Sequence, residues 1–342
     1  MRWLILMILV AKNKLFLLSY TLLFFFLLLT SCSKSDIAIS GSTMGTTYSI
    51  KINNNKYIQD NYLKKKIEDK LFYLNSVFST YDINSELSNI NFSDQSKFIV
   101  SNELGFIISK SLYYSNLSEG LYDPTVYPLV DLWGFGPTFR NSIPDIVEIN
   151  QLLRSVSYKN ISIKNNELFI YNNDTFIDLS SIAKGYVVDQ ISELLINEGF
   201  ENFMVEIGGE VRCKGKNYNN DWVIGIINPL SEYELIKTKI SDLSIATSGN
   251  YNNYTIYNGV KYSHILNPRT GFPVDNKVLS ASVISESCTD SDVIATILMV
   301  MPYNDGIKLI NSLDNVECLL FVNENGNERI IKSKGFDDFI NW

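Results

Sequence analysis

Apolar residues recur every third or fourth position from 60 to 78, at Leu63, Ile67, Leu71, Leu74, Val77 and Phe78, and this spacing predicts an amphipathic helix. The same period predicts helices over 103–117, stopped near Gly120, and from about Ala183 through Val187, Val188, Ile191, Leu194 and Leu195 to Gly199. A fourth is expected over 290–301. Short runs rich in β-branched and aromatic residues predict strands at 46–52, 161–163, 168–171, 203–207, 222–227, 240–246, 253–257, 279–284 and 318–322. These elements do not alternate strictly, and no G-x-G-x-x-G or Walker A run is present. The pattern predicts α+β, or a mixed-sheet α/β arrangement, as one large domain with mixed sheets and not a Rossmann fold.

Residues 15–29 break this rhythm. They are almost wholly apolar, follow Lys12 and Lys14, and run into Leu29-Thr30-Ser31-Cys32. A charged start, a short apolar core and small residues at the end describe a secretory signal. The Leu-Thr-Ser-Cys step resembles a bacterial lipobox, in which Cys32 becomes the lipidated N-terminal residue. A transmembrane anchor is the alternative, since apolar residues at 3–10 lengthen the segment. The expected organisation is a signal peptide over 1–31, lipidated Cys32 with a tether to 40, and a domain over 41–342. That domain is expected on the extracytoplasmic face of a bacterial cell envelope, anchored to a membrane by lipid.

Removing 1–31 takes away three cations and no acid, moving the formal charge from −8 to −11. An acidic surface argues against nucleic-acid binding, so a phosphate ligand needs local partners: a metal or backbone N–H groups. Beyond Cys32 the chain holds Cys213, Cys288 and Cys318, which allow at most one disulfide and no thiolate metal site.

His264 is the only histidine, and it lies in Tyr-Ser-His-Ile-Leu-Asn-Pro-Arg-Thr-Gly (262–271). A lone imidazole excludes a multi-histidine zinc or iron site, so any metal is held by oxygen ligands. Imidazole also suits proton transfer near neutral pH; taken alone, the run equally describes a surface corner braced by Arg269. In Thr-Asp-Ser-Asp-Val-Ile-Ala-Thr (289–296), Asp292 and Thr296 stand four apart and share one helical face. A carboxylate and a hydroxyl form part of a shell for Mg²⁺, which completes its sphere with water and phosphate. The same residues suit a helix cap, a role that fits Asp290.

The run Ile-Asp-Leu-Ser-Ser-Ile-Ala-Lys-Gly-Tyr (177–186) leads from a strand end into a helix, a junction that offers N–H groups to an anion. Lys184 there suits a phosphate and Asp178 a ribose or ring donor, unless they are a solvated first-turn residue and a cap. Gly208-Gly209-Glu210 reads as a close backbone approach or a tight hairpin. The run 245–251 reads as a small-residue loop that admits a planar ligand or merely turns.

Taken in order, these motifs resemble the FAD:protein FMN transferases, the ApbE-type flavin transferases. The matching pieces are Gly-Ser-Thr-Met-Gly-Thr-Thr-Tyr (41–48), Phe-Ser-Thr-Tyr-Asp (78–82), Ser-Glu-Leu-Ser (85–88), Gly-Leu-Tyr-Asp-Pro-Thr-Val (120–126) and Leu-Trp-Gly-Phe-Gly (132–136). The 178–186 run, Gly208-Gly209-Glu210, Ala-Thr-Ser-Gly (246–249), 264–271 and 291–296 complete the set. The resemblance implies an Mg²⁺-dependent enzyme that cleaves FAD, moves FMN onto a Thr or Ser hydroxyl of an acceptor protein and releases AMP. The acceptor class is a redox-pump or electron-transfer subunit outside the membrane. FAD hydrolysis to FMN and AMP, and non-catalytic flavin binding by a lipoprotein, are the alternatives. The resemblance places Met44, Tyr81, Leu121, Tyr122, Asp123, Asp178, Lys184 and His264 in the FAD site. It gives Asp292, Thr296 and the Ser181 carbonyl to Mg²⁺, makes His264 the general base, and has Arg269 brace its loop. Three positions depart from the family's usual residues: Ser181 replaces Ala or Thr, and Asn267 and Asn250 each replace an Asp.

Overall fold

The alternating run 46–52 forms the strand Thr46–Ile52, paired antiparallel with Ile37–Thr43 on one side and Phe203–Ile207 on the other. It opens an eight-stranded sheet that continues through Glu210–Lys214, Ser244–Gly249, Val278–Ser285, Glu317–Glu324 and Asn327–Lys332. In this computed structural model the structure describes residues 36–340, apart from 54–59, 139, 141, 230, 232–233 and 252, together with Trp3. Cys32 and, Trp3 excepted, the expected signal segment lie outside the described residues. Among the described residues no helix is long and apolar enough to cross a membrane.

Every strand pair among the described residues is antiparallel, which makes the fold α+β and narrows the expected mixed sheets to antiparallel ones. One face of the large sheet carries the helices Asp60–Phe78, Asn102–Leu117, Ser180–Asn197 and Cys288–Val300, whose apolar sides form the main core. Trp222, Ile226 and Ile240, from the hairpin of Trp222–Ile227 and Leu235–Ile240, pack with Phe321 and Phe336 in a second core. Central strand Val278–Ser285 is buried along nearly its whole length. It therefore reads as a continuous rather than an alternating run.

Differences from expectation have local causes. Ile37–Thr43 begins inside the stretch expected to be a tether, because Ile37 and Ile39 point into the core while Ala38 and Ser40 face out. Four alternating residues are too few to announce a strand. The run 240–246 is split in two: Asp242 takes φ 55° between Leu235–Ile240 and Ser244–Gly249, a left-handed turn that Asp tolerates. The helix expected near Ala183 starts at Ser180, whose N–H donates to Asp178 Oδ1 at 2.7 Å. Short helices Glu86–Asn91, Tyr127–Leu132 and Ile146–Leu152 carry too few turns to show a period. Cys213, Cys288 and Cys318 are free and buried, so the disulfide allowed by their count is not formed.

Candidate active site

The site is built on two helices that meet at a glycine. A Cβ on Gly185 would collide with the Cys288 carbonyl and lie 2.8 Å from Asp292 Cβ, so only glycine permits the approach of Ser180–Asn197 to Cys288–Val300. Through that gap Asp292 Oδ2 accepts the Gly185 N–H at 2.9 Å. Asp292 is only 3% exposed, so its carboxylate is held inside the molecule and not at an open helix start. In a regular helix the Gly185 N–H would serve the Ser181 carbonyl alone. A carbonyl oxygen has two lone pairs, so the Ser181 carbonyl keeps one for another partner. Thr296 lies one turn beyond Asp292, with Oγ1 3.3 Å from Ser248 Oγ. Asp290 stands apart from this group and pairs with Lys110 at 2.8 Å; Ser287 provides the helix cap.

Lys184 joins the group through a short ion pair with Glu210, on the strand after the Gly208-Gly209 turn. Burial works against its charge, but the Asp292 and Glu210 carboxylates outweigh it and hold the ammonium firmly protonated. Burial pushes the Glu210 carboxyl up to about 7, with Asp292 adding to the rise and Lys184 opposing it. Burial likewise raises Asp292, against the pull of Lys184 and the Gly185 N–H. Two buried carboxylates thus share one ammonium, and Glu210 Oε2 has no hydrogen-bond partner in the protein. With both carboxylates ionised the centre would be one positive charge short, a deficit that a hard cation on Asp292, the Thr296 hydroxyl and the Ser181 carbonyl would meet. Among the described residues no cluster of three or more His, Cys, Asp or Glu side chains competes as a metal site.

His264 follows the strand Val260–Ser263. Its Nδ1 lies 2.8 Å from the Asn253 carbonyl oxygen. A carbonyl only accepts, so Nδ1 carries the proton and Nε2 keeps a free lone pair. Burial lowers the imidazole pKa below its usual value; the Asn253 carbonyl opposes this and the Lys184 charge adds to it. Phe135 and the imidazole pack edge-to-face, their ring centroids 6.2 Å apart. The following loop is pinned from outside at two points and braced once within itself. Trp133 Nε1 donates to the Gly271 carbonyl at 2.8 Å, and Arg269 Nη2 donates to the Glu119 carbonyl at 2.7 Å. Asn267 Oδ1 accepts the Arg269 N–H at 2.9 Å. An Asx turn needs an acceptor and not a charge, so asparagine serves at 267. At 250 the side-chain amide approaches the Val278 carbonyl at 3.4 Å as a donor, which an ionised aspartate could not be.

The remaining expected residues divide. Tyr122 is buried, its hydroxyl donating to Ser111 Oγ at 3.1 Å, with Ser181 near enough to act on its pKa. Burial and the nearby Asp178 and Asp292 charges raise its pKa, although the two serines act the other way. Asp178 is buried with a raised pKa from burial, and the Ser180 contacts oppose the rise. Asp123 spends both oxygens inside the chain, on Thr125 N at 2.8 Å, Thr125 Oγ1 at 2.6 Å and Tyr158 N at 2.7 Å. It braces its loop. Leu121 is half-buried beside it. Tyr81 is 68% exposed and donates to the Phe135 carbonyl at 2.8 Å, in the field of Asp178 and Asp131. Met44, at φ 48°, sits in the turn between the first two strands and lines an open groove of about 880 Å³ with Tyr48, Phe72 and Asn75. No other expected FAD residue lines that groove.

Sequence reasoning missed Glu210 as the partner of Lys184, because 26 positions separate them. It also gave no role to Asp189 or Trp133; a tryptophan between Leu132 and Gly134 was the available signal for a buried anchor.

A base with a free imine nitrogen in the field of Lys184, together with an oxygen set that a cation would complete, suits metal-assisted transfer of a phosphoryl group to a hydroxyl. Comparison with known proteins agrees in class. The ApbE family model matches residues 44–320, and the chain belongs to the ApbE family. The FAD:protein FMN transferase of Vibrio cholerae serotype O1 is 38% identical over 325 residues, covering 92% of this chain and 96% of that protein. That of Haemophilus influenzae is 32% identical, covering 87% and 90%. The solved flavin transferase ApbE from Vibrio cholerae superposes with a TM-score of 0.84 at 36% identity, over 89% of this chain and 99% of its own. The Pseudomonas stutzeri flavinyl transferase ApbE, apo form, gives 0.81 at 28% identity, over 90% and 97%.

Proposed function

We propose that this chain is an Mg²⁺-dependent FAD:protein FMN transferase that esterifies a Thr or Ser hydroxyl of an acceptor protein with FMN and releases AMP. The observation that carries the reading is the fixed tautomer of His264, which leaves Nε2 free to take a proton. The acceptor hydroxyl gives its proton to Nε2 as its oxygen bonds to the FMN phosphorus. The bond from that phosphorus to the bridging oxygen breaks, and AMP leaves with the electron pair. Asp292, Thr296 and the Ser181 carbonyl would hold the Mg²⁺, which supplies charge neutralisation for the pyrophosphate. Lys184 adds a fixed positive charge, and Glu210 keeps its ammonium in place.

The N-terminal pattern supports an extracytoplasmic lipoprotein anchored at Cys32, with an acceptor among redox-pump or electron-transfer subunits on that side. Mass analysis of the membrane-extracted protein should find a diacylglyceryl Cys32 as its first residue; an intact residue 1 would overturn this.

Incubating the protein with FAD, Mg²⁺ and an acceptor bearing an exposed Thr or Ser should release AMP and add the mass of FMN less water to the acceptor. AMP without acceptor gain identifies hydrolysis instead. Absence of both rules out the proposal.

A further inference from the structure

Asp189 lies on the buried side of the helix Ser180–Asn197, away from the ligand set, and its carboxylate collects an unusual number of donors. Oδ1 accepts from Cys288 N at 3.0 Å and Arg212 Nη1 at 3.1 Å. Oδ2 accepts from Thr289 N at 2.8 Å, Thr289 Oγ1 at 2.6 Å and Ser287 Oγ at 2.9 Å. Two of these are the first N–H groups of Cys288–Val300, which have no partner inside their own helix. A capping carboxylate normally comes from the residue just before the helix. Here it comes from another helix, about a hundred positions away.

The spacing gives this contact a consequence. Asp189 meets residues 288 and 289; four positions earlier, Gly185 meets Asp292, four positions later on the other helix. The two contacts step in opposite directions along the helices, one turn or about 6 Å apart. Two polar rungs fix sliding and rotation together, where apolar packing alone tolerates small shifts. One more turn in the same direction brings Ser181 and Thr296 to the same level. The three oxygens assigned to the cation therefore occupy the second and third rungs of a ladder whose first rung is Asp189.

We infer that Asp189 is a positioning residue for the cation site: it sets the register of the Asp292-bearing helix against the Ser181 carbonyl without touching the cation. The inference rests on the metal reading given above. Arg212, also paired with Glu193 at 3.1 Å, holds Asp189 from behind and belongs to the same device.

The test is Mn²⁺ affinity, followed by electron paramagnetic resonance on the folded protein with and without FAD. Indirect partners of metal ligands typically change affinity by about 10–100-fold. Asp189→Asn keeps the side chain's size but removes its charge and turns an NH2 donor toward either the Cys288 or the Thr289 N–H, so Mn²⁺ binding should weaken by about that factor. Thr289→Val removes one hydroxyl contact while the carboxylate keeps its other donors, and should weaken Mn²⁺ binding less than Asp189→Asn does, by roughly several-fold. Should Asp189→Asn not fold, Thr289→Val and Arg212→Gln decide the matter. A capping role without positioning would lower the melting temperature of all three and leave Mn²⁺ affinity at the wild-type value, which overturns the inference alone. Wild-type protein that binds no Mn²⁺ in either condition overturns the metal site and the inference with it.

Discussion

Asp292→Asn should stop AMP release while leaving the protein as stable as the wild type, or more so. Burial raises the Asp292 carboxyl pKa, so folding disfavours its ionised form. An acid whose folded pKa lies above its unfolded value makes the fold less stable as pH rises through that interval, and the loss persists at neutral pH. Asparagine removes the charge yet keeps an oxygen for the Gly185 N–H. It also leaves Lys184 and Glu210 as a balanced pair. Activity moves the other way, because the carboxylate is the only charged ligand proposed for Mg²⁺. A metal's charge stabilisation is worth several kcal/mol, or about three decades in rate. Thermal melting in metal-free buffer and AMP release with Mg²⁺ check both halves. Near-normal turnover would return Asp292 to the role of a helix-packing residue.

His264→Ala should slow FMN transfer by about 10²–10⁴-fold, the usual contribution of a positioned general base. FAD and Mg²⁺ affinity should hold, since no ligand assigned to either cation or pyrophosphate is an imidazole nitrogen. The pH profile gives a second signature. Burial lowers the imidazole pKa, so the neutral base persists below the usual histidine value, and the wild-type rate should fall only on the acid side of that value. The mutant should lack this limb. Single-turnover transfer to an acceptor at saturating FAD, across a pH series, measures both. A mutant with the wild-type rate and profile would make His264 a purely structural link to Asn253.

The contrast between what was readable in the chain and what was not follows from the range of each interaction. Asp60–Phe78 and Phe203–Ile207 were legible to the residue because their burial follows a single period. Asp292 and Thr296 were legible as neighbours because four positions on a helix make one face. What local spacing cannot show is a contact between distant elements. The Lys184–Glu210 pair, the Asp189 cap and the Trp133 bond to Gly271 each join segments that periodicity treats separately. Burial was misjudged for the same reason: Thr-Asp-Ser-Asp looks like an exposed helix start, and only the approach at Gly185 encloses it. The departures at 250 and 267 looked like lost charges; the geometry shows that neither position needs one.

The buried free thiols have a practical consequence for handling and for the environments the chain tolerates. Burial raises the Cys213 and Cys288 pKa values, and it pushes the Cys318 thiol up to about 12, the carboxylate of Glu317 adding to this against the help of Ser333. Thiolate, not thiol, attacks disulfides and peroxides, so all three sulfurs are close to inert at neutral pH while the fold is intact. These three thiols therefore need no oxidant for the domain to mature and offer none a ready target while it stays folded. The folded domain should keep its stability and activity equally well in dithiothreitol or in oxidised glutathione, and alkylating reagents should label it only after denaturation.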